Sequence, residues 1–183
     1  MGADTTVRGR MQIRPADPTR DAAAIAAIYA PFALHTAVTF DEAPPSPEQF
    51  AARIAELEAT HAYLVAEDDR GVAGYAYGGP HRERPAYRWS TEVSVYIDER
   101  ARRRGVGRAL YGVLLPRLAE RNFCQALAGV TLPNDASVAL HEACGFTPVG
   151  IYRGIGWKAG AWRDVGWWQK RLRPDDGAPA ELR

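Results

Sequence analysis

The sequence predicts one α/β (α+β) domain with a mixed sheet packed between helices. Strand-like segments first form a hairpin and later alternate with helices, an order that is typical of such sheets. Apolar residues recur at helical spacing in three segments, and capping residues mark a fourth, which together predict four helices. With 183 residues, 46% of them hydrophobic, the chain is long enough to bury one core without disulfides or metals.

The domain is expected to cover residues 11–172. Residues 1–10 are small and polar, so they are expected to be a disordered extension or the product of an upstream start codon. Residues 173–183 are rich in Pro, Gly and Asp and are expected to form a flexible tail. We find no internal repeat and no low-complexity linker between these ends.

Composition excludes several classes of protein. A formal net charge of +1 argues against a dedicated nucleic-acid binder. No apolar stretch approaches the roughly 18 residues of a membrane span, and the first residues lack the core of a secretory signal. Cys124 and Cys144 are the two cysteines, without a CxxC motif, so no disulfide framework or metal cluster is expected. The prediction is a cytoplasmic protein with no metal and no membrane partner.

In the first half of the domain, two helices precede a β-hairpin. Ser46, Pro47 and Gln49 mark the start of the second helix, because serine caps helices, proline suits the first helical position and glutamine completes a capping box. The hairpin turns at Asp68–Gly71. The expected elements are a short strand near Met11–Arg14, a helix with its stripe at Ile25, Ile28, Tyr29 and Phe32, a helix with its stripe at Phe50, Ile54 and Leu57, and strands over Tyr63–Ala66 and Val72–Tyr77.

In the second half, strands alternate with helices. Thr91–Asp98 alternates cleanly, with apolar side chains on one face and polar ones, including Glu92, on the other. The expected elements are this strand, a helix with Leu110, Tyr111, Leu114, Leu115 and Leu118 on one side, a strand over Ala126–Thr131, a helix over Asp135–Cys144 closed by Gly145, and an aromatic strand over Trp162–Leu172.

The stretch between Thr91–Asp98 and the next helix is the most informative. It reads Arg102-Arg103-Arg104-Gly105-Val106-Gly107. Glycines let the backbone approach a ligand, a helix N-terminus attracts phosphate, and arginines add charge-assisted hydrogen bonds. A solvated arginine-rich turn has the same composition, so the motif alone leaves both interpretations open. A Walker A loop and a Rossmann fingerprint are excluded, since no GK[ST] follows and position 110 is Leu.

A second segment, LPNDASVALHEACGF over residues 132–146, begins a helix at Asn134 and ends it at Gly145. His141 follows Asn134 by about two turns, so both can face the same side. Together the two segments resemble, position by position, the GNAT superfamily of N-acetyltransferases. The resemblance implies a GNAT fold with a mixed, mostly antiparallel central sheet flanked by helices. It also implies acetyl-CoA as co-substrate, its pyrophosphate held by the RxxGxG motif.

Further stretches resemble the phosphinothricin and methionine sulfoximine acetyltransferase branch of that superfamily. They are YRWSTEVSVYI at 87–97, LPND at 132–135 and GWKAGAWRDVGWWQ at 156–169. This resemblance covers nearly all of residues 11–172. It implies transfer of acetyl to the amino group of a small amino acid analogue, such as phosphinothricin, methionine sulfoximine or methionine sulfone. It also implies a homodimer formed through the later strands.

Two residues are candidates for the chemistry. An attacking amine is mostly protonated at pH 7, and Glu92 is the candidate general base that removes its proton, directly or through water. A surface carboxylate paired with Arg82 or Arg88 is the alternative. The resemblance implies that His141 works with Glu92 as a catalytic pair; a histidine packed under the sheet and hydrogen-bonded to backbone is the alternative. Tyr111 is a lesser candidate acid, for which a core position is favoured.

The contacts to acetyl-CoA follow from the resemblance. A backbone N–H of the strand at Val93–Ile97, splayed open so that pantetheine can pair with it, would stabilise the thioester oxygen. Asn134 is expected to contact the pantetheine, and Ser137 is assigned beside it. The predicted cofactor-binding residues are Val95, Tyr96, Ile97, Arg102, Arg103, Arg104, Gly105, Val106, Gly107, Asn134 and Ser137.

The acceptor site is expected to contain arginine, because an amino acid analogue of this type carries several anionic or acceptor oxygens. Arg82, Arg84 and Arg88 precede the Glu92 strand and form the available set, with no reason to choose among them. Phe40 resembles a residue of the segment that lines the acceptor pocket. His81 lies in a loop and is left unassigned.

Two other functions remain open at this point. One keeps the GNAT fold and changes the acceptor to a protein N-terminus, a polyamine or an aminoglycoside. Cationic acceptors of that kind favour an acidic pocket. The arginines at 82, 84 and 88 therefore argue against them. The other is a non-catalytic acetyl-CoA sensor, which would bind the thioester and release no thiol with any amine.

Overall fold

The computed structural model describes residues 11–174 and 177–183, and these form seven strands and four α-helices. The predicted extension at 1–10 lies outside the described residues. The elements are β1 (Gln12–Pro15), α1 (Ala22–His35), α2 (Pro47–Thr60), β2 (Ala62–Asp68), β3 (Gly71–Pro80), β4 (Ser90–Ile97), α3 (Val106–Glu120), β5 (Gln125–Leu132), α4 (Asp135–Ala143), β6 (Thr147–Lys158) and β7 (Ala161–Arg171).

The strands form one sheet in the order β1-β2-β3-β4-β5-β7-β6. Every neighbouring pair is antiparallel except β4 and β5, which run parallel. This confirms the predicted mixed, mostly antiparallel sheet. The strand β6, at one edge of the sheet, is not predicted by the sequence pattern, because Pro148 and the glycines at 150, 154 and 156 interrupt its apolar residues and are disfavoured in strands.

The sheet divides where β4 meets β5. The two strands pair only over Ser90–Glu92 and Gln125–Leu127. Beyond Glu92, β4 continues to Ile97 on the β3 side alone, and β5 pairs with β7 up to Leu132. The residues Val93–Ile97 therefore have an open backbone edge toward β5, which we call the β4/β5 gap.

Helices cover both faces and enclose two cores. The α3 face contains the predicted stripe Leu110, Tyr111, Leu114, Leu115 and Leu118, all at most 6% exposed. The opposite face carries α1 and α2, whose buried residues include Ile25, Ile28, Tyr29, Phe50, Ile54 and Leu57. The predicted capping box of α2 is confirmed, since Ser46 Oγ accepts from the Gln49 amide at 3.3 Å and Gln49 Oε1 accepts from the Ser46 amide at 2.8 Å.

The C-terminal residues 177–183 lie against the domain. Trp89 Nε1 donates to the Ala180 carbonyl at 2.9 Å, and Asn122 Nδ2 donates to the Glu181 carbonyl at 2.5 Å. Arg88 also lies 3.6 Å from the Glu181 carboxylate. Ala180 and Glu181, within the predicted tail, are thus hydrogen-bonded to the domain through their backbone carbonyls. None of the helices in the described residues is both long and apolar enough to cross a membrane.

Candidate active site

The antiparallel register between β3 and β4 decides where Glu92 points. Gly79 is directly opposite Glu92, and side chains at opposite positions share a face. A Cβ on Gly79 would meet Leu57 of α2, so Glu92 lies on the α1/α2 face. Val93, the next residue, is buried in the α3 core. This confirms the alternation predicted for the strand.

Glu92 is paired with His81, a loop residue for which the sequence predicts no role. His81 Nδ1 lies 2.8 Å from Glu92 Oε1, and Arg82 Nη1 lies 3.9 Å from the same oxygen. The Glu92 side chain is 35% exposed and that of His81 only 12%. The sequence carried no signal for this pair, because His81 lies just beyond the end of β3 and the register that sets Gly79 opposite Glu92 is seen only in the structure.

His141 lies on the other side of the sheet, 3% exposed against Tyr111 and Phe146 of the α3 core. Its Nδ1 is 2.7 Å from the Ser137 carbonyl, which can only accept, so Nδ1 carries the hydrogen. Its Nε2 is 3.0 Å from the Tyr111 hydroxyl, which can donate to it. Burial lowers the pKa of His141 and favours this neutral form.

The predicted pairing of Glu92 with His141 does not occur in this structure. The two side chains lie on opposite faces, and both nitrogens of His141 already have partners in the α3 core. Tyr111 is fully buried there, and burial raises the pKa of its hydroxyl. The core position favoured for Tyr111 is therefore confirmed, and His141 matches the alternative of a packed histidine bonded to backbone.

A cavity of about 340 Å³ adjoins the Glu92–His81 pair. Its walls combine the loop after β3 with the faces of β5, β6 and β7, and comprise His81, Arg82, Leu127, Val149, Gly150, Ile151, Tyr152 and Trp167. A larger cavity of about 380 Å³ lies between α3, the end of α4 and β7. It is bordered by Tyr111 and Cys144 on the α3 side. Glu92 is joined to the smaller cavity through His81 and Arg82, which line it.

The structure separates the candidate acceptor residues. Arg82 is the candidate arginine that lines the cavity. Arg84 is exposed outside it, and Arg88 stacks on Trp89 with its guanidinium 3.6 Å from the ring centre. Phe40 lies against β6, where its ring would meet a Cβ on Gly156 at 2.5 Å.

The predicted phosphate-binding turn forms the N-terminus of α3. Gly105 is its N-cap residue with φ 79°, a left-handed conformation that favours glycine, and no side chain in the described chain caps the helix. The first-turn amides of α3 therefore remain available as donors. Arg102, Arg103 and Arg104 are exposed around this turn, with Arg104 3.5 Å from Asp68.

Gly107 has a different role from Gly105. A Cβ at Gly107 would stand 2.9 Å from Leu140 Cδ2, so this glycine lets α3 pack closely on α4. Asn134 is confirmed as the N-cap of α4, because its Oδ1 accepts from the Ser137 amide at 3.2 Å. The amide nitrogen of Asn134 is then the group available to a ligand.

Comparison with known proteins agrees with this geometry. The acetyltransferase (GNAT) domain family matches residues 16–167. The chain belongs to the GNAT family. The phosphinothricin N-acetyltransferase of Streptomyces viridochromogenes is 40% identical over 163 residues, which cover 89% of this chain and 88% of the relative. A methionine sulfoximine/methionine sulfone acetyltransferase of Salmonella typhimurium is 33% identical, covering 88% of this chain and 95% of the relative.

A solved GNAT structure shows the same architecture. The phosphinothricin acetyltransferase of Sinorhizobium meliloti, in complex with acetyl-CoA, superimposes with a TM-score of 0.88 at 35% identity, covering 93% of this chain and 94% of that one. The predictions of a GNAT N-acetyltransferase, and of acetyl-CoA as its co-substrate, are confirmed at the level of the family. Within the described residues, no group of three or more His, Cys, Asp or Glu side chains could hold a metal ion.

Proposed function

We propose that this GNAT enzyme transfers acetyl from acetyl-CoA to the amino group of a small amino acid analogue of the phosphinothricin or methionine sulfoximine type. One observation carries the proposal. Glu92 is the last residue of β4 that pairs with β5, where the β4/β5 gap opens, and its two side-chain partners, His81 and Arg82, line a cavity. A thioester in the gap and an amine in the cavity would therefore meet at a carboxylate. The two relatives named above support this acceptor class.

The residues around the gap suit acetyl-CoA. The uncapped first turn of α3 and Arg102–Arg104 would hold the pyrophosphate, because helix N-termini and guanidinium groups both bind phosphate oxygens. The open edge at Val93–Ile97 offers backbone donors and acceptors to the pantetheine amides. A β4 amide near the thioester carbonyl would stabilise negative charge on its oxygen, an interaction that is typically worth about 2.7–4 kcal/mol.

Glu92 would act as the general base. The acceptor arrives as an ammonium ion and must lose a proton before its nitrogen can attack the carbonyl carbon. Glu92 Oε1 is engaged by His81 and lies near Arg82, so Oε2 is the oxygen that takes the proton, directly or through a water molecule. General-base catalysis of this kind contributes roughly 10²–10⁴ in rate.

The cavity favours a small acceptor that carries an anionic group. Its volume of about 340 Å³ is at the lower end of the ligand-pocket range of roughly 300–1,000 Å³. Its walls are largely apolar and contribute Arg82, whose guanidinium matches a carboxylate or phosphinate. A polyamine or aminoglycoside would bring several positive charges to this arginine, so these acceptors are disfavoured.

A thiol-release screen tests the proposal. The panel contains phosphinothricin, methionine sulfoximine, methionine sulfone, ordinary amino acids, polyamines, aminoglycosides and a peptide with a free N-terminus. We expect turnover with the amino acid analogues and little with the polycations. Turnover confined to polyamines, aminoglycosides or the peptide would replace the acceptor class. Acetyl-CoA binding without thiol release from any amine would identify a sensor instead.

Paired arginine variants sharpen the screen. Arg82→Gln should raise the acceptor KM at least about tenfold, since a charge-assisted hydrogen bond is typically worth about 1.5–3 kcal/mol. The KM for acetyl-CoA should not change. Arg84→Gln is the matched control, two residues away and outside the cavity, and should behave like the wild type. Equal effects of the two substitutions would remove Arg82 from the acceptor site.

We also propose a homodimer built on the edge strand β6. This strand is long for an edge strand and exposes Val149, Ile155 and Trp157 by 57–60%. Apolar edges of this kind are normally covered in solution. Light scattering should give twice the chain mass, and Ile155→Lys should give the monomer. Val113→Lys, at an exposed site on α3, is the control; a monomeric wild type would refute the dimer.

A further inference from the structure

We propose that His81 is a positioning residue for the acetyl-transfer reaction, which orients Glu92 through its Nδ1–H. The inference rests on the proposed role of Glu92 as general base. It is carried by the hydrogen bond of 2.8 Å between His81 Nδ1 and Glu92 Oε1. An ionised carboxylate can only accept, so the hydrogen of this bond belongs to His81.

The backbone prepares this contact. His81 follows directly on β3, whose Pro80 pairs with Thr91, and it stands two residues after Gly79, the direct partner of Glu92. Residues i and i+2 of a strand share a face, so the imidazole reaches Glu92 diagonally across the strand pair.

The imidazole is held on two sides by aromatic rings. The Tyr87 and Trp167 rings each lie 6.0 Å from it, centre to centre, in edge-to-face arrangements. His81 is therefore a largely buried donor on a fixed ring, at 12% exposure. Arg82, at 48% exposure and 3.9 Å from the same oxygen, is a longer and more exposed side chain at a greater distance.

A fixed donor on Oε1 has a direct consequence for the reaction. A glutamate side chain has three rotatable bonds, and a free one would spend little time in the orientation that accepts a proton from the amine. The bond to His81 restricts those rotations and leaves Oε2 for the incoming proton. Support of this kind by a neighbouring group is what keeps a reactive side chain in its productive geometry.

Three substitutions at His81, compared with Glu92→Gln, test the proposal. His81→Phe keeps a ring between Tyr87 and Trp167 and removes the nitrogen. His81→Asn places an amide nitrogen near the position of Nδ1 and restores the donor without the ring. His81→Leu removes both. Circular dichroism confirms folding, and kcat and both KM values are measured by thiol release.

We expect His81→Phe and His81→Leu to lower kcat at least about tenfold with the acetyl-CoA KM unchanged. His81→Asn should retain kcat within about threefold of the wild type. In a Glu92→Gln background, His81→Phe should cause little further loss, because residues that act through one another are not additive. A packing role predicts the reverse order, with His81→Phe active and His81→Asn impaired.

The outcomes separate this proposal from the function on which it rests. If Glu92→Gln abolishes turnover while His81→Phe has wild-type kcat, the positioning role is refuted and the general base stands. If Glu92→Gln is fully active, both fall. If His81→Phe does not fold, the comparison of His81→Asn with His81→Leu decides, and equal kcat values in that pair would refute the role of the donor.

Discussion

His81 and His141 show how the same side chain takes different roles in two regions of one domain. His81 lies in the loop after β3, beside a carboxylate and a cavity. His141 lies inside α4, where a backbone carbonyl and a tyrosine hydroxyl use both of its nitrogens. His81 has a carboxylate partner beside a cavity, so we expect it to take part in the chemistry. Both nitrogens of His141 already have partners in the core, so we expect it to contribute to packing.

The two histidines have different surroundings because helical spacing and strand alternation place their neighbouring side chains on opposite faces of the sheet. Helical spacing places His141 on the buried side of α4, toward Tyr111 and the α3 core. Strand alternation places Glu92 on the opposite side of the sheet. A pair of residues on opposite faces of a sheet cannot share a proton directly, whatever each could do alone.

Glu92→Gln is expected to have the largest effect on activity. The amide keeps the size of the side chain and can still contact His81, yet it cannot take a proton. We expect kcat to fall by roughly 10²–10⁴, with acetyl-CoA affinity unchanged. Thiol-release kinetics and calorimetry measure the two quantities. Wild-type turnover across the pH range would remove Glu92 as the base and with it the distinction between the two regions.

His141→Leu is expected to affect stability rather than the chemistry. The substitution leaves the fully buried Tyr111 hydroxyl without its acceptor, and an unsatisfied buried group typically costs about 1–3 kcal/mol. The free energy of unfolding should fall accordingly, and kcat per folded molecule should stay within about threefold.

Tyr111→Phe is the matched control for His141→Leu. It removes only the hydroxyl that donates to Nε2 and should cost less stability. Denaturant unfolding and active-site-normalised kinetics separate the effects. A collapse of kcat in His141→Leu with an unchanged unfolding midpoint would instead return His141 to the catalytic role that the family resemblance implies.

The two glycines of the RxxGxG turn, Gly105 and Gly107, also have different roles, the first in backbone conformation and the second in helix packing. Gly105→Val forces a branched side chain into a left-handed conformation, and nothing lies within 4 Å of the new Cβ. We expect acetyl-CoA affinity to fall about tenfold as the turn rearranges. Gly107→Val instead drives Cβ into Leu140 and should lower stability by about 1–3 kcal/mol. Calorimetry and unfolding distinguish them; unaltered affinity in Gly105→Val would reject the pyrophosphate site.

Periodic segments and special residues made much of the fold predictable. The stripes of α2 and α3, the capping box at Ser46 and the alternation of β4 depend on local spacing, and the structure has all of them. The strand β6 could not be predicted, because its glycines and Pro148 interrupt the apolar alternation that marks a strand. Local sequence also could not show that β4 and β5 pair over only three residues, since that depends on segments that are distant in the chain.

The site residues that belong to a local motif could be predicted, whereas those brought together only by the sheet topology could not. Gly105 at the start of α3 and Asn134 at the start of α4 lie where their motifs predicted. The choice among Arg82, Arg84 and Arg88 needed the position of β6 and β7, which form the walls of the cavity. The contact of His81 with Glu92 could not be predicted, because a loop residue has no periodicity and the pairing of Gly79 with Glu92 joins two segments whose register the sequence does not give.

A third histidine gives the smallest and most specific prediction. His61 is 9% exposed at the end of α2 and stacks on Phe123 at 4.7 Å between ring centres. Burial lowers its pKa to about 4, and the nearby Arg121 charge acts in the same direction. The unfolded chain takes up this proton near pH 6.5, well before the folded state does.

The contribution of His61 to the free energy of unfolding is therefore fully present above about pH 6.5, and it is lost as the pH falls toward about 4. The slope from this one group reaches at most about 1.4 kcal/mol per pH unit. His61→Phe keeps the stacking on Phe123 and removes the titration, so its unfolding free energy should depend less steeply on pH in this window. Urea unfolding at a series of pH values measures the difference. Parallel curves for the wild type and His61→Phe would show that His61 titrates alike in the folded and unfolded chain. Burial near Phe123 would then not keep this imidazole neutral, in contrast to burial at His141.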